Sequence, residues 1–323
     1  MRVGLLGLGR IGLFHATTLS TLADELVVSD VDRARAEDVA ARLGARVGDP
    51  FDADAVVIAT PTSTHAEALL RACELGVPAF CEKPVAPGVA ETLRVVEAVE
   101  RSGTLVHIGF QRRFDAGYAA AREALHGGEL GEAHRVHLVT ADPAPPPAEY
   151  VALSGGIFRD CHIHDFDILR WVTGREVDVV YATGANRGED FFAEAGDVDT
   201  SSALMTMDDG TLVTLQGSRH NGAGYDVRME IAGTLATWAV GLGDRAPLRS
   251  VEGLTPGGEP WPDFLTRFDA AYVAEMEAFL AAVRGERESP CTVQDALAAL
   301  YIAEAADLSR RTDNPVRLLE VAK

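Results

Sequence analysis

A short apolar run, Arg2-Val3-Gly4-Leu5-Leu6, leads straight into Gly7-Leu8-Gly9-Arg10-Ile11-Gly12, and this glycine spacing constrains the chain more than any other feature. It fits G-x-G-x-x-G set between a strand and a helical run, Leu13–Leu22. In that setting each glycine has a task. Gly7 permits the tight turn, Gly9 lets backbone approach a pyrophosphate, and Gly12 allows the helix to pack closely on the strand. Arg10 and Ile11 carry the turn into the helix, whose first N–H groups and positive dipole end suit phosphate. Asp30 ends the next strand, close to the ~20-residue spacing at which an acid can accept hydrogen bonds from an adenosine ribose. Glycine triplets also occur in turns that bind nothing, so the flanking strand, helix and acid carry the inference.

The first third of the chain alternates apolar runs (Val3–Leu6, Leu26–Val28, Ala55–Ala59, Pro78–Cys81, Leu105–Phe110, and a weaker Arg46–Val47) with helical stretches at Arg33–Leu43, Thr64–Leu75 and Ala90–Ser102. Thr64 and Glu67 have capping-box spacing. Such alternation predicts an α/β, doubly wound parallel sheet covered on both faces. After Phe114 the texture changes. A helix (Asp115–Leu125), a strand (Ala133–Ala141), the Pro143–Pro147 loop and a helix near Asp160–Thr173 precede strands with period-two patterning at Ser201–Met207, Leu212–Ser218, Tyr225–Ile231 and Leu235–Val240. Asp208-Asp209-Gly210 reads as a hairpin turn between the first two. Helices at Asp269–Arg284 and Val293–Thr312 close the chain. The expected organisation is a nucleotide domain over 1–114 and, over 115–323, an α+β domain with an open, largely antiparallel sheet.

In a doubly wound sheet, ligands lie outside the carboxyl ends of the strands. That rule nominates Thr60-Pro61-Thr62-Ser63-Thr64-His65, Glu82-Lys83-Pro84 and Gln111-Arg112-Arg113. Lys83 ends an apolar strand rather than sitting on a solvated helix face, which marks it as functional. His65 can cap, or pack beside a nicotinamide. The other constellation is Asp160-Cys161-His162-Ile163-His164-Asp165-Phe166-Asp167. On a strand, His162 and His164 would face one way, as a metal pair. Phe166, Leu169 and Val172 instead recur at helical spacing, which stacks Asp160 with His164 and favours an Asp–His couple over a metal. A histidine near neutral pKa can take a hydroxyl proton, with the aspartate orienting it. An N-cap aspartate beside a packed histidine is the plainer reading of the same residues.

The formal net charge of −20 repels phosphate backbones and anionic lipid, so nucleic acid and membrane are poor partners, whereas a neutral polyol is not penalised. The four cysteines have no metal or redox spacing. The start of the chain lacks the marks of a secretory signal, and no apolar run has membrane-span length, so a cytoplasmic protein is expected.

Together these motifs resemble the glucose–fructose oxidoreductase/inositol dehydrogenase/rhizopine-catabolism (Gfo/Idh/MocA) family over essentially the whole chain. The resemblance rests on the Gly7–Gly12 loop, Glu82-Lys83-Pro84, and Gly155-Gly156 followed by Asp160 and His164. It is strongest to bacterial inositol 2-dehydrogenases, through Phe80–Pro84, Gly109–Asp115 and Gly224-Tyr225-Asp226. That similarity implies a Rossmann domain holding NAD, then a sheet domain whose open face builds a homodimer or homotetramer. It implies NAD-dependent oxidation of a secondary ring hydroxyl of a cyclitol or sugar, with His164 as general base, Asp160 as its partner and Lys83 holding the hydroxyl. Cofactor contacts would come from Gly7, Gly9, Arg10, Ile11, Gly12, Asp30, Thr60, Pro61, His65, Glu82 and Lys83. Arg112 and Tyr225 match positions that touch the polyol. The inositol enzymes carry histidine and asparagine where this chain has Thr140 and Asp142, and an apolar residue at Gln111. That departure bears on which cyclitol fits, not on the chemistry. An NAD-retaining glycosidase or epimerase, and an idle nucleotide-binding regulator, are the alternatives. A carboxylate at Asp30 would repel a 2′-phosphate, so NAD is expected to outperform NADP in steady-state kinetics; comparable catalytic efficiency with the two would overturn that choice.

Overall fold

The computed structural model describes residues 1–253 and 256–322; Leu254, Thr255 and Lys323, which fall within the expected domain 115–323, lie outside the described residues. The chain forms two compact units. The first comprises Met1–Gln111 together with Tyr272–Ala298, so the segment 272–298 belongs with the N-terminal unit; the second comprises Arg112–Ala271 and Ala299–Lys323.

The first unit contains β1 (Arg2–Leu6), α1 (Arg10–Leu22), β2 (Glu25–Ser29), α2 (Arg33–Leu43), β3 (Arg46–Val47), β4 (Ala55–Ile58), α3 (His65–Leu75), β5 (Ala79–Glu82), α4 (Val89–Ser102) and β6 (Val106–Gly109). Its strands are all parallel, in the order β3-β2-β1-β4-β5-β6. This is the expected doubly wound sheet. The chain turns back between β1 and β4, and the carboxyl ends of those two strands open the crevice where such sheets bind ligands. β4, β5 and β6 are buried at every residue, as strands covered on both faces must be. Asp32 starts α2 by accepting from the Arg35 N–H, and Gly44 ends it at φ 67°. The Thr64–Glu67 capping box does not form. Thr64 closes a single 3₁₀ turn, where its hydroxyl lies 2.7 Å from Thr60 Oγ1 and 2.9 Å from the Pro61 carbonyl, and α3 begins without a side-chain cap.

The second unit opens with α5 (Ala116–His126), β7 (Ala133–Ala141), α6 (Ala148–Ser154), α7 (Ile157–Asp160), α8 (Ile163–Thr173), β8 (Val177–Ala185) and α9 (Phe191–Glu194). β9 (Thr200–Met207), β10 (Leu212–Ser218), β11 (Asp226–Gly233), β12 (Thr237–Val240), α10 (Phe264–Arg267), β13 (Val316–Arg317) and α13 (Leu318–Val321) follow, while α11 (Asp269–Val283) and α12 (Val293–Thr312) are each divided between the two units. The seven strands lie in the order β12-β11-β7-β10-β9-β8-β13, antiparallel except for the parallel pair β7 and β10. The largely antiparallel sheet is thus present, with the β9–β10 hairpin closed at Met207 and Thr211. The helix expected near Asp160–Thr173 is two pieces. Asp160 ends α7, α8 starts at Ile163, and the turn between them carries His162, whose ring is anchored in the core by Asp165 and Ser201.

Most of α11 belongs to the first unit, where Met276, Phe279 and Leu280 enter the core formed by Val3, Leu5, Val28, Val57 and Phe80. The rings of Phe80 and Phe279 lie 5.8 Å apart. Phe279 is fully buried. Phe279→Ala is therefore expected to destabilise the nucleotide unit by about 3–5 kcal/mol in denaturant titrations; a loss under about 1 kcal/mol would show that α11 is not part of that core.

Candidate functional site

In the first unit the turn after β1 is tight because backbone fills it. Gly7 adopts φ 93° and its N–H donates to the Ser29 carbonyl at 2.8 Å. A Cβ on Gly12 would lie 2.1 Å from the Gly7 carbonyl oxygen, so only glycine lets α1 start this close to the strand. Gly9 is different: nothing stands within 4 Å of the place its Cβ would take. It is also the N-cap of α1 and supplies no side-chain cap. The helix thus presents its first N–H groups beside an open cradle, with Arg10 exposed and Ile11 packed against the core. Asp30 borders the turn. Its Oδ2 accepts from the Leu8 N–H at 2.7 Å, and its Oδ1 accepts from the Asp32 N–H at 2.8 Å and, more loosely, from Arg35 Nη1 at 3.4 Å, which fixes the carboxylate at the turn.

At the ends of β4 and β5 a buried imidazole joins two loops. His65 Nδ1 lies 2.8 Å from the Pro84 carbonyl and Nε2 2.7 Å from that of Thr60. Burial pushes His65 below its ordinary pKa, and the two carbonyls oppose that shift. The ring braces Thr60-Pro61 against the turn that carries Lys83, where the Lys83–Pro84 peptide is cis. Glu82 is buried, and its Oε1 meets His15 Nε2 of α1 at 2.7 Å, so it ties β5 to the helix that begins at the glycine turn. Gln111, buried at the end of this unit, has no hydrogen-bond partner at Oε1.

In the second unit the sheet topology assembles another cluster. β7 and β10 run parallel with Ala141 beside Ser218, so Asp142 and Arg219 leave the sheet side by side. β11 pairs antiparallel with β7, its Asp226 beside Ala141, which places Tyr225 at the same end. Arg219 is buried, and its guanidinium bridges two acids: Nη1 donates to Asp142 Oδ2 at 2.9 Å and Nη2 to Asp160 Oδ2 at 2.7 Å. The other oxygen of Asp160 accepts the Tyr150 hydroxyl of α6 at 2.8 Å. Burial first, then Asp160, raises the Tyr150 phenol well above its ordinary range; Tyr225 is raised mainly by burial. His164 stands half-buried in the first turn of α8.

Arg112 and Thr140, expected as polyol contacts, meet around Asp165. Thr140 donates to Asp165 Oδ1 at 2.8 Å, Arg112 pairs with the same oxygen, and His162 Nδ1 lies 2.8 Å from Oδ2. Burial alone would raise Asp165, but Arg112, His162 and Thr140 outweigh it and hold the acid below its usual range. Arg113 makes a similar buried pair with Asp167. The structure therefore gathers the glycine turn with Asp30, Thr60 and His65 with Lys83, and Asp142 with Asp160 and Tyr225. Arg219 and Tyr150 were missed by sequence reasoning. Arg219 carried a usable signal, since it follows an alternating strand as Asp142 does. Among the described residues no group of three or more His, Cys, Asp or Glu could hold a metal, and no helix is long and apolar enough to cross a membrane.

Residues 1–110 match the oxidoreductase family with an NAD-binding Rossmann fold, and residues 118–239 the GFO/IDH/MocA C-terminal domain. The NAD(+)-dependent scyllo-inositol 2-dehydrogenase of Bacillus subtilis is 36% identical, over 98% of this chain and 96% of its own. A putative myo-inositol dehydrogenase structure from Sinorhizobium meliloti aligns with TM-score 0.91 and 36% identity, over 98% of this chain and 99% of its own. The scyllo-inositol dehydrogenase of Lactobacillus casei, solved with NAD(H) and scyllo-inositol, aligns with TM-score 0.89 and 28% identity, covering 99% of each chain. The cradle fits that cofactor, because of the three glycines in this turn the one with room above it stands at the start of α1. Gly9→Ala, at φ −68°, is expected to leave the melting temperature nearly unchanged and to weaken NAD binding about tenfold or more, whereas Gly12→Ala costs more than about 2 kcal/mol of stability. Unaltered NAD affinity in Gly9→Ala, read by calorimetry, would contradict the assignment of the cradle.

Proposed function

The chain belongs to the GFO/IDH/MocA oxidoreductase family, and from that premise we propose that it is an NAD-dependent inositol dehydrogenase, oxidising a secondary ring hydroxyl of a cyclitol to the ketone. The observation that carries this reading is the co-occurrence of a complete nucleotide turn with Lys83 at a strand end and Asp160 and His164 in one short segment, on a chain similar over nearly its full length to inositol dehydrogenases. NAD, when bound, accepts the hydride leaving the alcohol carbon. Gly9 and the first turn of α1 hold the pyrophosphate, and Asp30 accepts from the adenosine ribose. Thr60, Pro61 and His65 shape the loop nearest Lys83, and Glu82 braces that loop's strand from behind. Lys83 donates to the reacting oxygen and stabilises the negative charge that builds there. His164 takes the hydroxyl proton as the C–O bond becomes a carbonyl, and Asp160 stabilises the resulting imidazolium. Asp142 and Tyr225 offer an acceptor and a hydroxyl to the remaining ring hydroxyls. Gln111, Arg112 and Thr140 are the further candidate substrate residues.

Two coarser features accompany this activity. Tyr181, Leu204 and Leu212 are exposed on neighbouring strands of one sheet face, beside Thr214 and His137, and such a face suits a second copy of the chain in a homodimer or homotetramer. Among the described residues no cysteine is in a disulfide, in keeping with a cytoplasmic enzyme.

The test is a nicotinamide absorbance assay with NAD against myo-inositol, scyllo-inositol and a set of aldoses. Turnover is expected on a cyclitol, and Lys83→Ala and His164→Ala are each expected to lower kcat/KM about 100-fold or more. Near-normal turnover in either variant would remove its assigned role. Sugar released from a glycoside with no net nicotinamide reduction would replace dehydrogenation with NAD-retaining hydrolysis.

A further inference from the structure

Arg219 is an unusual expenditure of charge for the end of a strand. It is 4% exposed, and burial works against its cation. What offsets that cost is the pair of carboxylates it joins, Asp142 at 2.9 Å and Asp160 at 2.7 Å. Backbone fixes both strand ends: the Asp142 N–H donates to the Ser218 carbonyl at 2.9 Å, and the Arg219 N–H to that of Asp199 at 2.7 Å. The guanidinium therefore has little freedom to leave either acid.

The consequence concerns Asp160. Groups from three elements meet around it: the Tyr150 hydroxyl from α6, Arg219 from the end of β10, and, through that arginine, Asp142 from the end of β7. Within its own segment lie Cys161, whose thiol is 3.6 Å from Asp142 Oδ2, and His164; Arg159 points elsewhere, to Glu304 and the Gly155 carbonyl. Arg219 thus brings a full positive charge into direct contact with the acid.

We propose that Arg219 is a positioning residue that fixes the Asp160 carboxylate and, by sharing its charge, lowers the pH at which His164 becomes free to take the substrate proton. The proposal rests on the Asp160–His164 roles assigned above. A carboxylate already paired with a guanidinium stabilises an imidazolium less than an unshared one does. The sign follows. Removing the cation strengthens Asp160 as a partner for protonated His164, so the histidine holds its proton to higher pH. Activity is then lost most at low pH and recovers as pH rises.

The test compares Arg219→Met, Arg219→Lys and Asp142→Asn with the parent enzyme. In Arg219→Met the acid limb of log kcat/KM against pH is expected to move up by about one pH unit, with the deficit shrinking in alkali. Arg219→Lys, which keeps the charge, holds the limb near its parent position. Asp142→Asn gives Asp160 the whole guanidinium and moves the limb down. A second readout is free of turnover: the His164 imidazole, identified by its absence in His164→Gln, is titrated by ¹⁵N NMR in each variant and is expected to shift in the same directions. If the parent enzyme oxidises no cyclitol, the proposed activity fails while the NMR titration still decides the Arg219 effect. Unmoved His164 titrations in Arg219→Met and Asp142→Asn, or a uniform loss of activity at every pH, would overturn the proposal. Should Arg219→Met not fold, Asp142→Asn alone still decides it.

Discussion

The close approach of Gly12 to Gly7 is the constraint on which the nucleotide unit depends. A hypothetical Cβ only 2.1 Å from a carbonyl oxygen leaves no room for any side chain, so α1 can begin directly on the end of β1. Three things follow from that proximity. The N-terminal turn of α1 opens at the crevice of the sheet, Asp30 can reach the Leu8 N–H from the neighbouring strand, and His15, one turn into the helix, reaches Glu82 on β5. The same packing that seats the helix also points Glu82 inward and leaves Lys83, the next residue, at the strand end.

In the second unit the equivalent organising feature is the one parallel pair in an otherwise antiparallel sheet. Because β7 and β10 run the same way, their ends deliver Asp142 and Arg219 together, and antiparallel β11 begins at that end with Tyr225. Behind this rim lies the buried network of Asp165, Arg112, Thr140 and His162, where an acid, a guanidinium, a hydroxyl and an imidazole satisfy one another. Taking one partner away would leave a buried charge uncompensated, which in such pairs costs about 3–5 kcal/mol.

Much of this was readable from residues alone, and the physical reason is locality. The strands of the parallel sheet are apolar runs bounded by turns, and even the two-residue strand Arg46–Val47 is visible because its neighbours set the alternation. The glycine turn is legible because its conformational demand falls on three named positions. What depended on distant partners was not legible. The break at Cys161-His162 arises because His162 bonds to Ser201, 39 residues away, and no helical period encodes that. β8 went unread, since a strand with exposed Tyr181 and Thr183 on one side carries little apolar weight. The place of Phe279 beside Phe80 is likewise tertiary information. Thr140 and Arg112 were read as polyol contacts from a resemblance, whereas the acid that engages them, Asp165, lay in plain sight within the same motif as His164.

In the proposed reaction a hydride leaves a cyclitol ring carbon for nicotinamide. Myo- and scyllo-inositol deuterated at every ring carbon, incubated with the enzyme and NAD, test it most directly. Mass spectrometry should then find one deuterium in each reduced nicotinamide and one inosose ketone per cofactor reduced, with turnover slowed by the heavier isotope. Reduced cofactor without deuterium, or cyclitol returned unoxidised while the nicotinamide cycles back, would contradict the account.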